Sequence, residues 1–416
     1  MNSEVNKVKR YVIIGNCVAA VGCIEGIRSK DSEGEITVIS AEKRPAYCRP
    51  LISYYLEGMT DIEKMSYRPS DFYDRMKCRV VYDTATDIDS KHKKVHTENS
   101  GEFAYDSLCI STGSSPFVPP FEGLETVKKK FCFMTLDDAL ALEKALTDRA
   151  RVFIVGAGLI GLKCAEGIAQ RVGKITVCDM ADRVLSSILD ESCASVMQKQ
   201  LEENGIEFML GDSVERFDKN KAFMKSGAEV EFDILVLAVG VRARTALACK
   251  AGCRTDRGII IDKYMKTDIP DIFAAGDCAQ GDDMLSGEKR IIAIMPNAYF
   301  QGFTAGENMA GAYEAFDKAI AMNSIGFFGL NVMTAGKYEG EKYVQAEGGS
   351  VKQLYIKDGY LNGFIIIGGK ERAGIYTNFI REKIPLETVD FETLKKLASN
   401  IAFSDETRRK KFGGVV

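Results

Sequence analysis

One short stretch of this chain is suited to holding phosphate. Gly156-Ala157-Gly158-Leu159-Ile160-Gly161 is a complete G-x-G-x-x-G between an apolar run, RVFIV, and a helical pattern, LIGLKCAEGIA. The first glycine of such a turn permits the sharp bend. The second lets a pyrophosphate approach the backbone, and the third lets helix and strand pack closely. The first helical turn, starting at Leu159 and Ile160, adds free N–H groups and the positive end of the helix dipole. Asp179 closes the next apolar run, ITVCD, about 20 residues on. A carboxylate there binds a ribose 2′-hydroxyl and repels the 2′-phosphate of NADP. The alternative is a glycine turn that serves packing alone.

A second turn is a degenerate copy. Gly15-Asn16-Cys17-Val18-Ala19-Ala20 keeps the first glycine, has Cys17 at the second place and Ala20 at the third, where alanine is tolerated. Glu42, just beyond the following apolar run, is placed to hold a ribose. A third segment, TDIPDIFAAGD (267–277), ends in Gly276-Asp277, a small residue and a carboxylate that can accept from a hydroxyl-rich ligand.

Other chemistries are poorly served. The two histidines, His92 and His96, share one polar stretch, DSKHKKVHTENS, that reads as a surface turn. A catalytic triad or multi-histidine metal centre would have to draw on it, so catalysis is expected to use a cofactor and no metal. The 12 cysteines are scattered and form no C-x-x-C, which leaves zinc ribbons and dithiol motifs of that spacing unsupported. So many thiols fit a reducing cytoplasm.

Both glycine turns imply the elements around them. YVIIGNCVAAVGCIEGIR (11–28) and RVFIVGAGLIGLKCAEGIA (151–169) each read as buried strand, tight turn and helix, followed by a second strand at 36–40 and 175–179. Each is a βαβ unit of about 30 residues. KKVHTENSGEFAYDSLCISTG (93–113) reads as antiparallel strands. Helices are expected at 135–146 and 184–205, the latter ending at a glycine. Strands follow from 206 to 240, and the last hundred residues mix strands (KQLYIKDGYLNGFIIIGG) with a helix at FETLKKLASNIA. A chain of 416 residues suggests two to four domains at roughly 100–200 residues each. With 46% hydrophobic and 27% charged residues, a net charge of −4 and a pI near 5.6, the chain reads as globular and unlike a nucleic-acid binder. The start, MNSEVNKVKR, has no signal-peptide apolar core, and no apolar run reaches the ~20 residues of a membrane span.

These motifs resemble the pyridine nucleotide–disulfide oxidoreductase superfamily of FAD/NAD flavoproteins. The branch most similar holds NADH:rubredoxin and ferredoxin reductases, NADH oxidases and the flavin part of nitrite reductases. The resemblance covers essentially the whole chain. VIIGNCVAA matches the FAD pyrophosphate turn, giving Gly15, Cys17 and Ala20 as FAD contacts. ISAEKRPAYCRPLISYYLEG (39–58) matches the loop over the flavin, with Glu42 at the adenosine ribose and Arg49 at the flavin side. LCISTGSSPFVPP, with Thr112 and Gly113, matches the strand and turn leaving the FAD domain. LVLAVGVRARTAL, with Gly240, matches the return from the NAD domain. TDIPDIFAAGD makes Asp277 the ribityl contact, and MPNAYFQGFTAGENMAG (295–311) matches the helix facing the flavin pyrimidine. There Pro296 suits a first helical turn, and the dipole would stabilise negative charge on reduced flavin; a plain amphipathic core helix is the other reading.

The resemblance implies an α/β fold with two Rossmann-like, three-layer ββα domains of glutathione-reductase type and a small α+β C-terminal domain. Residues 1–118 and 241–320 would form a discontinuous FAD-binding domain, 119–240 the NAD-binding domain and 321–416 an interface domain. It implies an FAD enzyme oxidising NADH and passing electrons to a small Fe–S carrier, rubredoxin or ferredoxin, or to an Fe–S subunit. Alternatives are an NADH oxidase, peroxidase or CoA-disulfide-type reductase, or a flavin-bearing subunit with little activity alone. A homodimer or multi-subunit complex is compatible with either.

Three features bear on that choice. Disulfide-reducing relatives carry a C-x4-C pair or one redox cysteine near the flavin. Cys48 lies near the single-cysteine position and reads either as that catalytic residue or as a small packing residue. Relatives also pair a lysine of the flavin loop with a glutamate on the NAD helix; here those places hold Tyr54 and Lys163. Lys163 is expected to bring positive charge to the flavin N5 edge, or else to be an exposed helix lysine. The tail Arg408, Arg409, Lys410 and Lys411 reads as a docking site for an acidic carrier or as a solvated terminus, and Lys128–Lys130 carry the same pair of readings.

Overall fold

Both strand–turn–helix repeats form in the computed structural model. The first is β1 (Arg10–Ile14) and α1 (Val18–Lys30); the second is β2 (Arg151–Val155), α2 (Leu159–Ile168) and β3 (Lys174–Asp179). A later helix, α3 (Met295–Met309), completes the elements that bear on function. The structure describes residues 8–369, 372–404, 406, 408 and 409. The chain divides into two compact units, Met1–Phe117 with Met134–Leu140 and Gly240–Ala319, and Val118–Phe133 with Ala141–Val239 and Ile320–Val416.

The first unit is built on a parallel sheet ordered Ile272–Ala274, Ser107–Ile110, β1, Glu35–Ile39 and Cys78–Val81. A strand covered on both faces reads as a continuous apolar run, as RYVII and SLCI do. Ser107–Ile110 corrects the expectation of antiparallel strands throughout 93–113. Only Lys94–Thr97 and Glu102–Ala104 pair antiparallel, with each other and with Ala85–Asp89. Ser107–Ile110 is buried at every position and lies parallel between β1 and Ile272–Ala274, where alternation has no place. His92 sits in the exposed turn of this hairpin, its ring 2.7 Å from Asp89.

α1 crosses α3 at backbone contact. A Cβ at Gly22 or Gly26 would overlap carbonyl oxygens of Tyr299 or Phe303, and one at Gly302 or Gly306 would overlap those of Ala19 or Cys23. Four glycines on two facing helices thus set the height of α3 against the first turn.

The second unit carries its own parallel sheet, ordered Ile206–Leu210, β3, β2, Ile234–Leu237 and Lys130–Phe131. A three-stranded antiparallel sheet (Val214–Asp218, Lys221–Met224, Glu229–Glu231) packs Phe217 on Phe232, which stacks on Phe153 of β2. The helix expected over 184–205 spans Glu191–Glu203. Leu185 has a positive φ of 51°, and the Asp190 carboxylate caps the helix by accepting from the Cys193 N–H, so the periodic residues before it do not join. Residues beyond 320 form an antiparallel sheet ordered Met322–Phe327, Leu330–Gly336, Tyr360–Ile367, Ser350–Lys357 and Glu341–Glu347. The helix expected over 391–402 stops at Lys396, because Leu397 is extended. In the basic tail, Lys410 and Lys411 lie outside the described residues, and Arg409 is exposed. Among the described residues no helix is long and apolar enough to cross a membrane.

Candidate dinucleotide sites

In the second unit, Gly156 turns with φ 118°, and a Cβ there would overlap the Ala238 carbonyl of the neighbouring chain segment. A Cβ on Gly161 would overlap the Gly156 carbonyl. At Gly158 a Cβ would meet nothing within 4 Å. The first and third glycines therefore serve the packing of strand on helix, while the second keeps the approach to the backbone open. Gly158 is the N-cap of α2 and brings no side chain to the first N–H groups, those of Leu159 and Ile160 among them. Asp179 ends β3 beside this turn. Its carboxylate accepts from the Ala157 N–H at 2.7 Å and the Ala181 N–H at 2.8 Å, fixing the acid against the bend. A bare helix start, an open glycine and an anchored acid suit a dinucleotide whose ribose hydroxyls are free.

Lys163, one turn into α2, is buried with Glu166; their exposures are 8% and 6%. Its ammonium is paired with the Glu166 carboxylate, donates to the Gly326 carbonyl at 3.2 Å and lies 5.6 Å from the Phe327 ring centre. Glu166 also accepts from the Phe328 N–H at 2.7 Å. The exposed helix lysine of the alternative reading is therefore not what forms. Lys163 and Glu166 clasp the Gly326–Phe328 turn from within their own unit.

In the first unit, Gly15 bends with φ 110°, and a Cβ there would overlap the Ser111 carbonyl. Cys17 takes the N-cap place that Gly158 holds in the other turn, and Ala20 is fully buried. Three motifs far apart in sequence converge here. A Cβ on Gly276 would stand 3.0 Å from the Ala19 Cβ and 3.6 Å from the Ala298 Cβ, and the Gly276 N–H donates to Gln301 at 2.9 Å. The start of α1, the Gly276-Asp277 turn and the first turn of α3 that holds Pro296 thus lie side by side. Burial raises the Asp277 pKa, against the opposing charge of Arg49.

Glu42 and Arg49 form an ion pair, and the Tyr47 hydroxyl donates to Glu42 at 2.9 Å. The same hydroxyl accepts from Arg49 at 3.2 Å and from the Leu136 N–H at 2.9 Å. Burial alone would lower the Arg49 pKa; Cys17, Tyr47 and Glu42 around it raise it. Tyr47 escaped the sequence reading, since nothing in AYCRP marks a phenol that ties two charges to a distant segment. Cys48 Sγ lies 3.9 Å from Met295 Sδ at the start of α3. Burial raises its pKa, with a further push from Cys17.

Thr112 Oγ1 donates to the Arg244 carbonyl at 2.8 Å, and the Gly113 carbonyl accepts from the Arg244 N–H at 2.9 Å. Gly240, expected as an NAD contact, belongs to the first unit, where its carbonyl accepts from the Phe117 N–H at 2.9 Å.

One residue here was missed from sequence. Asn297, 4% exposed in the first turn of α3, has its side-chain carbonyl oxygen buried without a partner among the described residues. Its amide nitrogen donates to the Ile292 carbonyl at 3.0 Å, tying the residue to the segment that leads into α3.

Residues 9–302 match the family model described as pyridine nucleotide-disulphide oxidoreductase. The chain is 32% identical over 404 residues to an NADH oxidase of Methanocaldococcus jannaschii, covering 88% of each. It is 28% identical over 393 residues to the epsilon subunit of an NADH-dependent phenylglyoxylate dehydrogenase of Aromatoleum evansii, covering 91% of this chain and 92% of that one. In fold it is similar to a chain of the covalent putidaredoxin reductase–putidaredoxin complex, with a TM-score of 0.85, 22% identity and coverage of 93% and 95%.

Proposed function

The chain belongs to the pyridine nucleotide-disulphide oxidoreductase family, and we propose that it passes electrons from NADH through FAD to a small Fe–S carrier of the rubredoxin or ferredoxin type, or to an Fe–S subunit. It is an FAD-dependent oxidoreductase. The second unit binds NADH at the Gly156–Gly161 turn with Asp179 on the ribose, and the first binds FAD through the Gly15–Ala20 turn, Glu42, Arg49 and Asp277. Bound FAD supplies the chemistry that protein side chains lack, taking a hydride from NADH and releasing its electrons one at a time. The protein's part is to hold, orient and charge-balance the two dinucleotides.

Cys48 carries the choice of acceptor. A disulfide or peroxide cycle uses a thiolate, and burial, with Cys17 beside it, raises the Cys48 pKa and so disfavours that form. That weighs against the disulfide and peroxide branch, while transfer from the flavin to an Fe–S carrier or to oxygen needs no such nucleophile. The test is anaerobic turnover of the purified holoenzyme with NADH and NADPH, offering rubredoxin, ferredoxin, oxygen, peroxide and CoA disulfide in turn. Fastest reduction of an Fe–S carrier with NADH is expected. Faster oxygen turnover, or faster disulfide or peroxide turnover abolished by Cys48→Ser, would overturn the reading.

A second reading is a flavin-bearing subunit of a larger complex. It is favoured by the nearly end-to-end match to a relative that is itself a subunit of an NADH-dependent dehydrogenase. Weak turnover alone, restored by a co-purifying Fe–S protein, would support it. We place the protein in a reducing cytoplasm, which would keep its 12 cysteines out of disulfides.

A further inference from the structure

We propose that Arg242 and Arg244 form a docking site on the first unit for a small acidic Fe–S carrier. This deepens the carrier reading of the proposed function and rests on it.

Two segments far apart in sequence make a short antiparallel ribbon here. Ser114–Pro116 pairs with Val241–Ala243, with Arg242 opposite Ser115 and Ala243 opposite Ser114. The pairing runs on past Ala243. The Arg244 N–H donates to the Gly113 carbonyl at 2.9 Å, and the Arg244 carbonyl accepts from Thr112 Oγ1 at 2.8 Å. Side chains two residues apart on an extended stretch leave it on one face, and both arginines are exposed. The Arg242 guanidinium lies 4.6 Å from the centre of the Phe117 ring. Stacking of this kind uses the flat side of the guanidinium and leaves its N–H edge free. Other arginines of this unit are matched by acids: Arg10 by Asp106, Arg49 by Glu42 and Arg68 by Glu25. Neither Arg242 nor Arg244 forms an ion pair among the described residues.

The ribbon borders the proposed FAD site. The Ser111 carbonyl lies against Gly15 of the first turn, and Thr112 and Gly113 follow it directly. These two residues are also hydrogen-bond partners of the Cys278 thiol, next in the chain to Asp277. The charge of the place decides its partner. The chain has a net charge of −4, so an acidic carrier is repelled by the molecule as a whole. Two unneutralised guanidinia at the edge of the cofactor site give that carrier one favourable approach, and each fork can take a carboxylate through two parallel N–H bonds. Another exposed part of the same unit, the apolar pair Met59 and Ile62, stands among Glu57, Asp61 and Glu63 against one lysine, Lys64, and has the wrong sign for this partner.

The test compares the wild-type holoenzyme with the pair Arg242→Ala and Arg244→Ala, under anaerobic conditions with NADH and an acidic rubredoxin or ferredoxin. At low ionic strength, kcat/KM for the carrier is expected to fall about 10- to 100-fold in the alanine pair, and further in the pair Arg242→Glu and Arg244→Glu. The wild-type rate is expected to drop steeply with added salt, and the alanine pair to lose that steepness. The pair Arg242→Lys and Arg244→Lys should recover most of the rate, since the charge returns without the fork. Reduction of bound flavin by NADH, read by stopped flow, is expected to stay within about two-fold throughout, because exposed side chains away from the packed interior have small effects on the fold. An alanine pair that keeps the wild-type kcat/KM and salt dependence would overturn the proposal. Should the alanine pair fail to retain FAD, hydrogen exchange of the wild type with and without the carrier gives the answer. Added protection over 113–117 and 240–244 is expected, and none there would overturn the docking site. A wild-type enzyme that reduces its flavin with NADH yet passes electrons to neither carrier would instead overturn the carrier reading, and the docking site with it.

Discussion

The two glycine turns follow the same path from strand to helix and differ in what they leave open. In both, the first glycine lies against a carbonyl of a neighbouring segment, Ser111 in one and Ala238 in the other, with φ near 110°. That place is set by the fold. The second place is not: Gly158 faces open space, and its counterpart is Cys17. The acids differ as well. Asp179 is held by two backbone N–H groups of its own turn, Glu42 by the side chains of Arg49 and Tyr47. On the proposed reading, the turn for NADH, a cofactor that comes and goes, is bare and held by main chain. The turn proposed for FAD, a resident cofactor, is lined by side chains from several segments.

The largest effect is expected where the two turns are alike. Gly156→Ala places a Cβ onto the Ala238 carbonyl at a φ that L-residues avoid. About 1–3 kcal/mol of stability should be lost to strain. Reduction of bound flavin by NADH, followed by stopped flow, should slow by ~100-fold or more as the turn moves. Bound FAD should remain. An Ala variant that reduces its flavin at the wild-type rate would show that the bend is not what holds NADH.

A smaller effect should separate the acids. Asp179→Asn removes the charge that repels a 2′-phosphate while keeping one acceptor for the turn. The ratio of kcat/KM for NADPH to that for NADH should rise by roughly 30-fold, mostly through relieved like-charge repulsion. An unchanged ratio would mean that selection rests elsewhere, for instance at the exposed Met180 that follows.

Smaller still is the effect of filling the open place. Gly158→Ala meets no atom within 4 Å, so the melting temperature should hold. KM for NADH should rise about ten-fold with kcat little changed, the pattern of lost binding that ground and transition states share. A fall in melting temperature would show that Gly158 serves the fold after all and would erase its contrast with Cys17.

What was legible follows from the same contrast. Gly15, Gly156 and Asp179 could be read because backbone geometry leaves few residue types able to stand there. β1, β2 and β3 were legible as unbroken apolar runs, whereas the parallel pairing of Ser107–Ile110 was not, because SLCI follows directly on a true antiparallel hairpin. Tyr47 was not, because its value comes from Leu136, which the returning chain brings beside it. Lys163 was legible as a departure, and its partner Glu166 stands one helical turn on, but the Gly326–Phe328 turn is brought to them by folding alone.

The smallest effect is expected at Cys48, and it bears most on the acceptor. Cys48 lies by Met295 in the turn lined by side chains, and both burial and Cys17 raise its pKa above the ordinary thiol value of 9.0. A raised pKa means the neutral form at pH 7, so alkylation by iodoacetamide should stay slow through neutrality and accelerate only above pH 9. Cys48→Ser should change NADH-dependent carrier reduction by less than about two-fold, since a small polar side chain replaces a small thiol that makes no charge. An alkylation profile with its inflection below pH 8 would mean a thiolate stabilised beside Arg49. The side-chain-lined turn would then hold a nucleophile as well as a cofactor, and disulfide or peroxide reduction would displace the Fe–S carrier as the proposed outlet.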